Sequence, residues 1–258
     1  MNKIRKTSQS KHEFAFYIED ASSLIGSLEV GSEFRVDDRT ICHRMDHVLR
    51  LSTDDTFFIF DREIHIKLQL QYTEKKRYIT GIIQEKKKNI ILKPTIEFWL
   101  PLLKRENFEA ALYAIVELGA QSIKPIITEK SQHKFDTQKA LARYQKIIIS
   151  AAEQSKNFAF PRLENQIDLK DLATQKKYNN YNKIYFDPEG NSLFDMISQI
   201  KSTTYDKLIL MVGPEGDLTK NEKIYLQENG FIFCKLTPTV LRAFQAVTVG
   251  LGAFRSLF

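Results

Sequence analysis

Two hydrophobic patterns follow one another along the chain, and the change between them lies near residue 93. Before that point, apolar residues come in short runs rich in aromatic and β-branched side chains, and one run alternates strictly with polar residues, which is typical of β-strands. This pattern predicts strands at residues 14–18, 56–60, 64–70 and 77–83, with turns at 54–55 and 61–63. One helix is predicted at residues 43–51, where apolar residues have helical spacing. Several short strands with one helix predict a small β-barrel.

After residue 93, predicted strands alternate with predicted helices. Strands are expected at residues 96–100, 122–127, 183–186, 207–212 and 231–236. Helices are expected at residues 105–118, from a cap at Asp136 or Thr137 to about residue 155, and at 192–200, 219–229 and 243–257. The helix at 219–229 opens with a Thr-Lys-Asn-Glu capping box, and Gly119 and Gly230 stand just after the ends of two helices. This alternation predicts an α/β domain with a parallel sheet and helices on both faces, and the polar residues 171–182 predict an exposed loop.

The composition places the chain among globular proteins. Of its 258 residues, 43% are apolar and 27% are charged, which excludes the disordered and fibrous classes. The length suits one large domain or two ordinary ones, and the change of pattern predicts two domains, residues 1–93 and 94–258. Cys42 and Cys234 are far apart and form no Cys-x-x-Cys motif, so we expect reduced core thiols. With no signal-peptide pattern and no apolar run of membrane-spanning length, we expect a cytoplasmic protein without a membrane partner.

The net charge of +6 is unevenly placed. The first eleven residues contain Lys3, Arg5, Lys6 and Lys11 and no acidic residue, so the basic excess of the N-terminal half lies in this tail. Two more basic runs, at residues 75–77 and 86–88, flank the short predicted strand 78–83. The runs are consistent either with simple solubility or with an edge that faces phosphate groups.

Gly and Pro follow three predicted strands of the second domain. Gly-Pro-Glu-Gly-Asp follows the strand at 207–212, Asp-Pro-Glu-Gly follows the strand at 183–186, and Thr-Pro-Thr-Val-Leu-Arg follows the strand at 231–236. Each is good turn chemistry by itself. Because open α/β sheets bind ligands at the carboxyl ends of their strands, three such segments at one edge also indicate a pocket lined by backbone groups.

Other ligand motifs are absent from the sequence. It contains no Gly-x-Gly-x-x-Gly after the first strand, no P-loop, no His-Glu-x-x-His and no Gly-x-Ser-x-Gly. His43 and His47 have the spacing of two metal ligands on a helix, but no third ligand is evident, which favours a solvated or packed face. We therefore expect no metal.

Five segments together resemble the RsmE-type ribosomal RNA methyltransferases. They are Glu-Leu-Gly-Ala-Gln-Ser-Ile-Lys-Pro at 117–125 with Thr-Glu-Lys-Ser at 128–131, Ala-Ala-Glu-Gln-Ser at 151–155, Val-Gly-Pro-Glu-Gly at 212–216, Leu-Arg at 241–242, and His-Val-Leu-Arg-Leu at 47–51. They occur in the family's order and cover nearly the whole chain, roughly residues 12–258. Any one of them alone would be a weak signal, whereas five in register are specific.

The resemblance implies a fold, a cofactor and a reaction. It implies a SPOUT-type α/β domain with a C-terminal trefoil knot, preceded by a small PUA-like β-barrel domain that helps to bind RNA. It also implies S-adenosylmethionine bound in the knot loops and active sites formed across a homodimer. The implied reaction methylates N3 of one uridine in 16S (small-subunit) ribosomal RNA, so the expected partner is this RNA or the small ribosomal subunit.

The same resemblance assigns roles to individual residues. It implies cofactor contacts at Val212, Gly213, Pro214, Glu215, Gly216, Leu236, Val240 and Leu241. Arg242 would lie beside the transferred methyl group, where a guanidinium can stabilise the oxyanion that develops on uracil; the alternative is a salt bridge to Glu215 or Glu189. The candidate RNA contacts are Arg5, Lys6, Arg50, Lys130 and Gln154, with internal bracing as the alternative for the last three.

The sequence also departs from the family pattern. The family's Leu-Arg-Thr-Glu-Thr-Ala reads Leu-Arg-Ala-Phe-Gln-Ala here, so Phe244 replaces the acidic residue and Gln245 a threonine, and Asp217 replaces the second glycine of Gly-Pro-Glu-Gly-Gly. If the missing acid accepts a proton in relatives, Glu215 is the nearest substitute. Two alternatives to the methyltransferase therefore stay open: an RNA- or ribosome-binding protein that has lost catalysis, and a SPOUT methyltransferase with another RNA target.

Overall fold

The chain is described by a computed structural model over residues 13–74, 78–131, 138–172, 175–200 and 206–257. It forms two compact units, one ending at Ile90 and the other starting at Ile91. The sequence pattern changes only three residues further along. Each unit has its own hydrophobic core.

The first unit is built on a five-stranded sheet in the order β1-β3-β4-β5-β2. Its strands are β1 (Phe14–Tyr17), β2 (Glu33–Val36), β3 (Thr56–Phe60), β4 (Ile64–Glu74) and β5 (Tyr78–Lys88). β1 runs parallel to β3, and all other neighbours are antiparallel. Four of these strands were predicted, and their alternating apolar side chains form the core, with Phe16, Phe57 and Ile66 fully buried.

The first unit contains more helix than the sequence pattern predicts. Helix α1 (Ala21–Ile25) was not predicted, and neither was β2. The predicted helix at 43–51 is displaced toward the N-terminus: α2 (Arg39–His43) continues into a π-helical turn, Arg44–Val48. The displacement has a local cause, because the Asp38 carboxylate accepts hydrogen bonds from the backbone N–H groups of Thr40 (2.8 Å) and Ile41 (2.9 Å) and so caps the helix early.

The second unit contains a wholly parallel sheet in the order β12-β10-β11-β6-β7-β8, with β9 also paired to β7. Its strands are β6 (Thr95–Pro101), β7 (Ser122–Ile127), β8 (Arg162–Leu163), β9 (Ile167–Asp168), β10 (Asn182–Ser192), β11 (Lys207–Val212) and β12 (Phe231–Lys235). The five strands predicted for this unit are all present. The predicted α/β fold with a parallel sheet is therefore confirmed.

Helices cover both faces of this sheet. They are α3 (Arg105–Glu117), α4 (Gln138–Ser155), α5 (Leu169–Leu172), α6 (Leu193–Ile200), α7 (Lys220–Glu228) and α8 (Ala243–Arg255). Tyr185 shares a core with Leu226 of α7, whereas its neighbour Phe186 packs against Phe254 of α8. Because successive side chains of a strand point to opposite faces, α7 and α8 lie on opposite sides of the sheet.

The helix ends agree with the sequence in three of the four predicted places. The capping box of α7 is present, and Gly119 and Gly230 follow their helices with φ of 74° and 80°. The predicted cap of α4 at Asp136 or Thr137 lies outside the described residues.

Two expectations for the second unit are wrong. Residues 171–182 are not simply an exposed loop, because a 3-10 turn, Lys176–Tyr178, places Tyr178 in the core with its ring centroid 5.1 Å from that of Trp99. The strand predicted at 183–186 also does not end there. Asn191 and Ser192 pair with Cys234 and Lys235 of β12, so the Asp-Pro-Glu-Gly sequence forms a bulge within β10.

Candidate active site

A cleft of about 740 Å³ opens where the carboxyl end of β11 and the neighbouring bulge of β10 meet the segment that follows β12. Three stretches of the chain supply most of its lining: the β10 bulge with the residues before it, the loop after β11, and residues 240–243 with Ala246 at the start of α8. This is the edge at which parallel α/β sheets bind ligands. Two of the three stretches are loops that the Gly and Pro pattern indicated, and the third is the bulge.

The loop after β11 is a tight turn held by its own backbone. The N–H of Asp217 donates to the carbonyl of Pro214 at 2.9 Å. Gly213 is required by a close approach, because a Cβ at this position would lie 2.7 Å from the hydroxyl oxygen of Tyr185 and 3.2 Å from Oδ1 of Asp217. A side chain at position 213 would therefore displace Tyr185 or Asp217.

Most residues expected to contact the cofactor do meet in this cleft. Val212, Gly213, Pro214, Glu215, Val240 and Leu241 line it, together with Arg242. Leu236 lines an adjoining pocket of about 50 Å³, which shares Phe186 and Leu241 with the cleft. Gly216 does not line the cleft; its Cα faces the aliphatic part of Lys130.

Arg242 is exposed at the cleft and immediately precedes α8. Within the described part of the chain, no ion pair joins it to Glu215 or Glu189, so the expected structural alternative is not seen. Its backbone N–H donates to Oε1 of Gln245 at 3.4 Å. Gln245 thus caps the first turn of α8, and the Arg242 side chain remains available to a ligand.

Glu215 is fixed at the N-terminus of α3. Its Oε1 accepts hydrogen bonds from the backbone N–H of Lys104 (3.0 Å) and from Nδ2 of Asn107 (2.8 Å). Burial by itself would raise the pKa of this carboxyl, but the hydrogen bonds from Asn107 and from backbone N–H groups outweigh it, and the pKa is lowered. Glu215 is therefore held as a carboxylate, and a carboxylate of lowered pKa is a weak proton acceptor.

Four side chains are linked by a hydrogen bond and two ion pairs along the cleft wall. Tyr185 donates its hydroxyl hydrogen to Oδ1 of Asp217 at 3.0 Å, and Lys223 contacts Oδ2 of Asp217 at 2.8 Å and Oδ2 of Asp187 at 2.7 Å. Burial would lower the pKa of Lys223, yet its bonds to the two carboxylates raise it. Burial by itself would raise the pKa of Asp217, but the bonds from Lys223, Leu218 and Tyr185 outweigh it, and the pKa is lowered. The lowered pKa of Asp217 and the raised pKa of Lys223 keep this pair charged near neutral pH, while burial raises the pKa of Tyr185 and keeps it neutral.

The candidate RNA contacts are spread over both units. Lys130 donates to the carbonyl of Gly216 at 2.8 Å, which is the bracing contact that we gave as its alternative role. Gln154 and Arg50 are exposed, and Arg50 has a positive φ of 53°. Arg5 and Lys6 lie outside the described residues, and so does the basic run at 75–77.

The second basic run lies within β5 rather than beyond a short strand. Lys86 donates to the carbonyls of Ile25, Gly26 and Leu28 and so closes the end of α1. Lys87 pairs with Glu85 at 2.8 Å. An edge that faces phosphate thus has fewer free cations here than the sequence indicates.

Sequence reasoning missed several residues of the site. Lys104 and Asn107 line the cleft because β6 also ends at this edge, and the carboxyl end of that strand was the available signal. Lys223 and Tyr185 lie on regular elements rather than on loops, and no motif marks them. Their role depends on three-dimensional proximity.

Two other kinds of site were sought in the described ranges. No cluster of three or more His, Cys, Asp or Glu side chains there is arranged to hold a metal ion, although the rings of His43 and His47 lie 4.9 Å apart. None of the described helices is both long enough and apolar enough to cross a membrane.

Comparison with known proteins gives consistent matches. A family model described as RNA methyltransferase domain matches residues 92–255. The chain is 27% identical over 241 residues to ribosomal RNA small subunit methyltransferase E 2 of Borreliella burgdorferi, covering 88% of this chain and 93% of that protein. It is 26% identical over 220 residues to ribosomal RNA small subunit methyltransferase E of Bacillus subtilis, covering 82% and 85%.

A solved structure matches nearly the whole chain. It is ribosomal RNA small subunit methyltransferase E from Neisseria gonorrhoeae bound to S-adenosyl methionine, with a TM-score of 0.80 and 25% identity. The match covers 96% of this chain and 98% of that one. The similarity therefore extends over both units.

Proposed function

The chain belongs to the RNA methyltransferase family, and we propose that it transfers the methyl group of S-adenosylmethionine to small-subunit ribosomal RNA. One observation carries this proposal. The Val-Gly-Pro-Glu segment at 212–215 and the Leu-Arg pair at 241–242, which carry the sequence resemblance, are far apart in the chain and meet in one cleft.

The cleft has properties that suit S-adenosylmethionine. A volume of about 740 Å³ lies within the range of small-molecule sites. Val212, Pro214 and Leu241 supply apolar contact, and the exposed carboxylate of Glu189 favours a ligand with positive groups. When bound, S-adenosylmethionine supplies an electrophilic methyl group on a positively charged sulfur.

We propose that Arg242 stabilises negative charge on the RNA base. For methylation at uridine N3, the N3–H bond must break and its proton must pass to solvent before the N3 electron pair can bond the methyl carbon. The bond from that carbon to the cofactor's sulfur would break at the same time, with its electron pair left on sulfur. The negative charge that this loss leaves is shared by the two carbonyl oxygens of uracil, and a guanidinium held beside them lowers its cost. Support comes from the position of Arg242 at the cleft and from its lack of an ion pair to Glu215 or Glu189.

A second candidate function rests on the absence of an evident base. Phe244 and Gln245 stand where the family carries Glu and Thr, and the carboxyl of Glu215 has a lowered pKa. A protein that binds RNA or the ribosome without methyl transfer would need no proton acceptor. A methyltransferase with another RNA target is the remaining alternative.

We further propose the domain roles and the assembly that the resemblance implies. Residues 1–93 would form a PUA-like β-barrel that binds RNA, and residues 94–258 a SPOUT domain with a C-terminal knot. The knot is supported by the fact that the segments at 213–217 and 236–242 line neighbouring pockets. Tracing the path of residues 206–257 in an experimental density map tests it. We propose a homodimer in the cytoplasm, where ribosomal subunits assemble, and light scattering that gives the mass of one chain would contradict it.

Two measurements test the function. Calorimetry should show one S-adenosylmethionine bound per chain. Labelled methyl groups should pass to small ribosomal subunits from cells that lack this gene, and mass analysis of the nucleosides should identify 3-methyluridine. RNA binding without transfer would favour the second candidate, and a different modified nucleoside would favour the third. Neither cofactor binding nor transfer would overturn the proposal.

A further inference from the structure

Asp217 occupies a backbone position that favours glycine. Its φ is 56°, in the left-handed region, and the resembling family carries glycine here. Asp tolerates this conformation better than most residues, but still less well than glycine. An aspartate at such a position indicates that its side chain supplies something that glycine would not.

Both oxygens of the Asp217 carboxylate have partners within the protein. Oδ1 accepts hydrogen bonds from the backbone N–H of Leu218 at 2.7 Å and from the hydroxyl of Tyr185 at 3.0 Å. Oδ2 contacts Nζ of Lys223 at 2.8 Å. The loop after β11 is therefore attached through one side chain to β10, which carries Tyr185, and to α7, which carries Lys223.

Lys223 extends this attachment to a second wall of the cleft. Its ammonium also contacts Asp187, which starts the β10 bulge and whose side chain is only 1% exposed. One cation thus joins the loop after β11 to the bulge of β10. Both of these segments line the cleft.

We propose that Asp217 is a positioning residue, which fixes the loop at 213–216 in the shape that binds S-adenosylmethionine by linking it to Tyr185 and Lys223. The inference rests on the proposed function, because it names how that same cleft is held open for its ligand. It predicts that loss of the Asp217 side chain weakens cofactor binding with little effect on the stability of the fold.

The choice of variants follows from burial. Lys223→Met would leave Asp187 buried without a partner and would endanger folding. Asp217 is 53% exposed, so its variants test the loop with less risk. Asp217→Gly suits the left-handed backbone and removes all three interactions, Asp217→Asn keeps an oxygen for Tyr185 and Leu218, and Tyr185→Phe removes only one hydroxyl group.

Calorimetric titration of the full chain with S-adenosylmethionine tests the proposal. We expect binding about tenfold weaker for Asp217→Gly and about threefold weaker for Asp217→Asn and for Tyr185→Phe. The double variant Asp217→Gly/Tyr185→Phe should bind no more weakly than Asp217→Gly alone, because the Tyr185 hydroxyl acts on the loop only through its bond to Asp217. Glu228→Gln removes an exposed carboxylate from the far end of α7 and should bind like the wild type.

Ligand-free hydrogen exchange separates this inference from the proposed function. Amides of residues 213–218 should exchange faster in Asp217→Gly than in the wild type, with a melting temperature within about 3 °C. Unchanged exchange, unchanged affinity, or a larger fall in melting temperature would overturn the positioning role. If the wild type itself fails to bind S-adenosylmethionine, the proposed function fails, and the exchange rates still decide whether Asp217 holds the loop.

Discussion

Gly250 of α8 lies so close to Phe186 of β10 that a Cβ at position 250 would overlap atoms of the Phe186 ring. Phe186 also lines the cleft and packs against Phe254, with ring centroids 5.9 Å apart. The packing of α8 on the sheet therefore sets the position of one cleft wall. A change in this packing should therefore alter ligand binding in the cleft.

The substitution Gly250→Ala tests that coupling. Because the new methyl group must displace the Phe186 ring or the helix, we expect a loss of about 1–3 kcal/mol in the free energy of unfolding, together with weaker S-adenosylmethionine binding. Gly252→Ala in the same helix is the matched control, since its Cβ would lie 3.9 Å from Leu118 in ordinary contact. Denaturant unfolding and calorimetry measure both effects. Equal stability of the two variants would contradict the prediction.

Arg242→Ala should separate catalysis from folding. We expect methyl transfer to fall about 100-fold or more, because charge stabilisation in the transition state is lost, while the melting temperature stays close to that of the wild type. Single-turnover transfer and thermal unfolding measure the two quantities. Arg162→Ala, an exposed arginine on β8 at the far edge of the sheet, is the control and should transfer normally. Loss of folding in Arg242→Ala would instead assign a structural role.

The sequence predicts those parts of the site that lie on contiguous motifs. The apolar run at 207–212 and the turn residues at 213–216 mark a buried strand and its loop, and both are present. What it does not predict depends on pairing between distant segments. The β10 bulge exists because residues 191–192 pair with β12, whereas Asp-Pro-Glu-Gly by itself is typical of a turn.

Long-range contacts in the site are hidden from the sequence for the same reason. Glu215 is bound by Asn107, and Tyr185 by Asp217, across separations that no local pattern reports. Tyr178 sits in a polar stretch, and its burial follows from the Trp99 ring beside it. The short elements α1 and β2 were missed because each mixes two or three apolar residues with polar ones over four or five positions, whereas the equally short β1 and β3 are almost continuously apolar.

The basic N-terminal tail should contribute to RNA affinity without touching the cofactor. Replacing Arg5 and Lys6 together with Lys3 and Lys11 by Ser should weaken RNA binding and flatten its dependence on salt concentration, because fewer counterions are released. Affinity for S-adenosylmethionine should be unchanged. Fluorescence titrations with an RNA oligonucleotide at several salt concentrations provide the slope. A parallel loss of cofactor affinity would show that the tail is not simply an RNA contact.

Acid should weaken the second unit through Glu109 on α3. Its carboxylate accepts two hydrogen bonds from Arg143, at 2.5 and 2.7 Å, and one from Arg105 at 3.0 Å. The bonds from Arg143, with help from Arg105, lower the pKa of Glu109 from 4.5 to about 2. A lowered folded-state pKa stabilises the fold fully above about pH 4.5, and this contribution is lost as pH falls toward 2.

The variant Glu109→Gln measures this contribution. Because both arginines are more than half exposed, solvent screening limits the effect, and we expect the variant to be less stable by about 1 kcal/mol at pH 6. The difference should shrink as pH falls from 4.5 toward 2, and also in high salt. Urea unfolding of both proteins at each pH provides the free energies. The control is Glu106→Gln, which changes an exposed acid one turn earlier on α3. An equal pH-dependent loss of unfolding free energy in that variant would contradict the role assigned to Glu109.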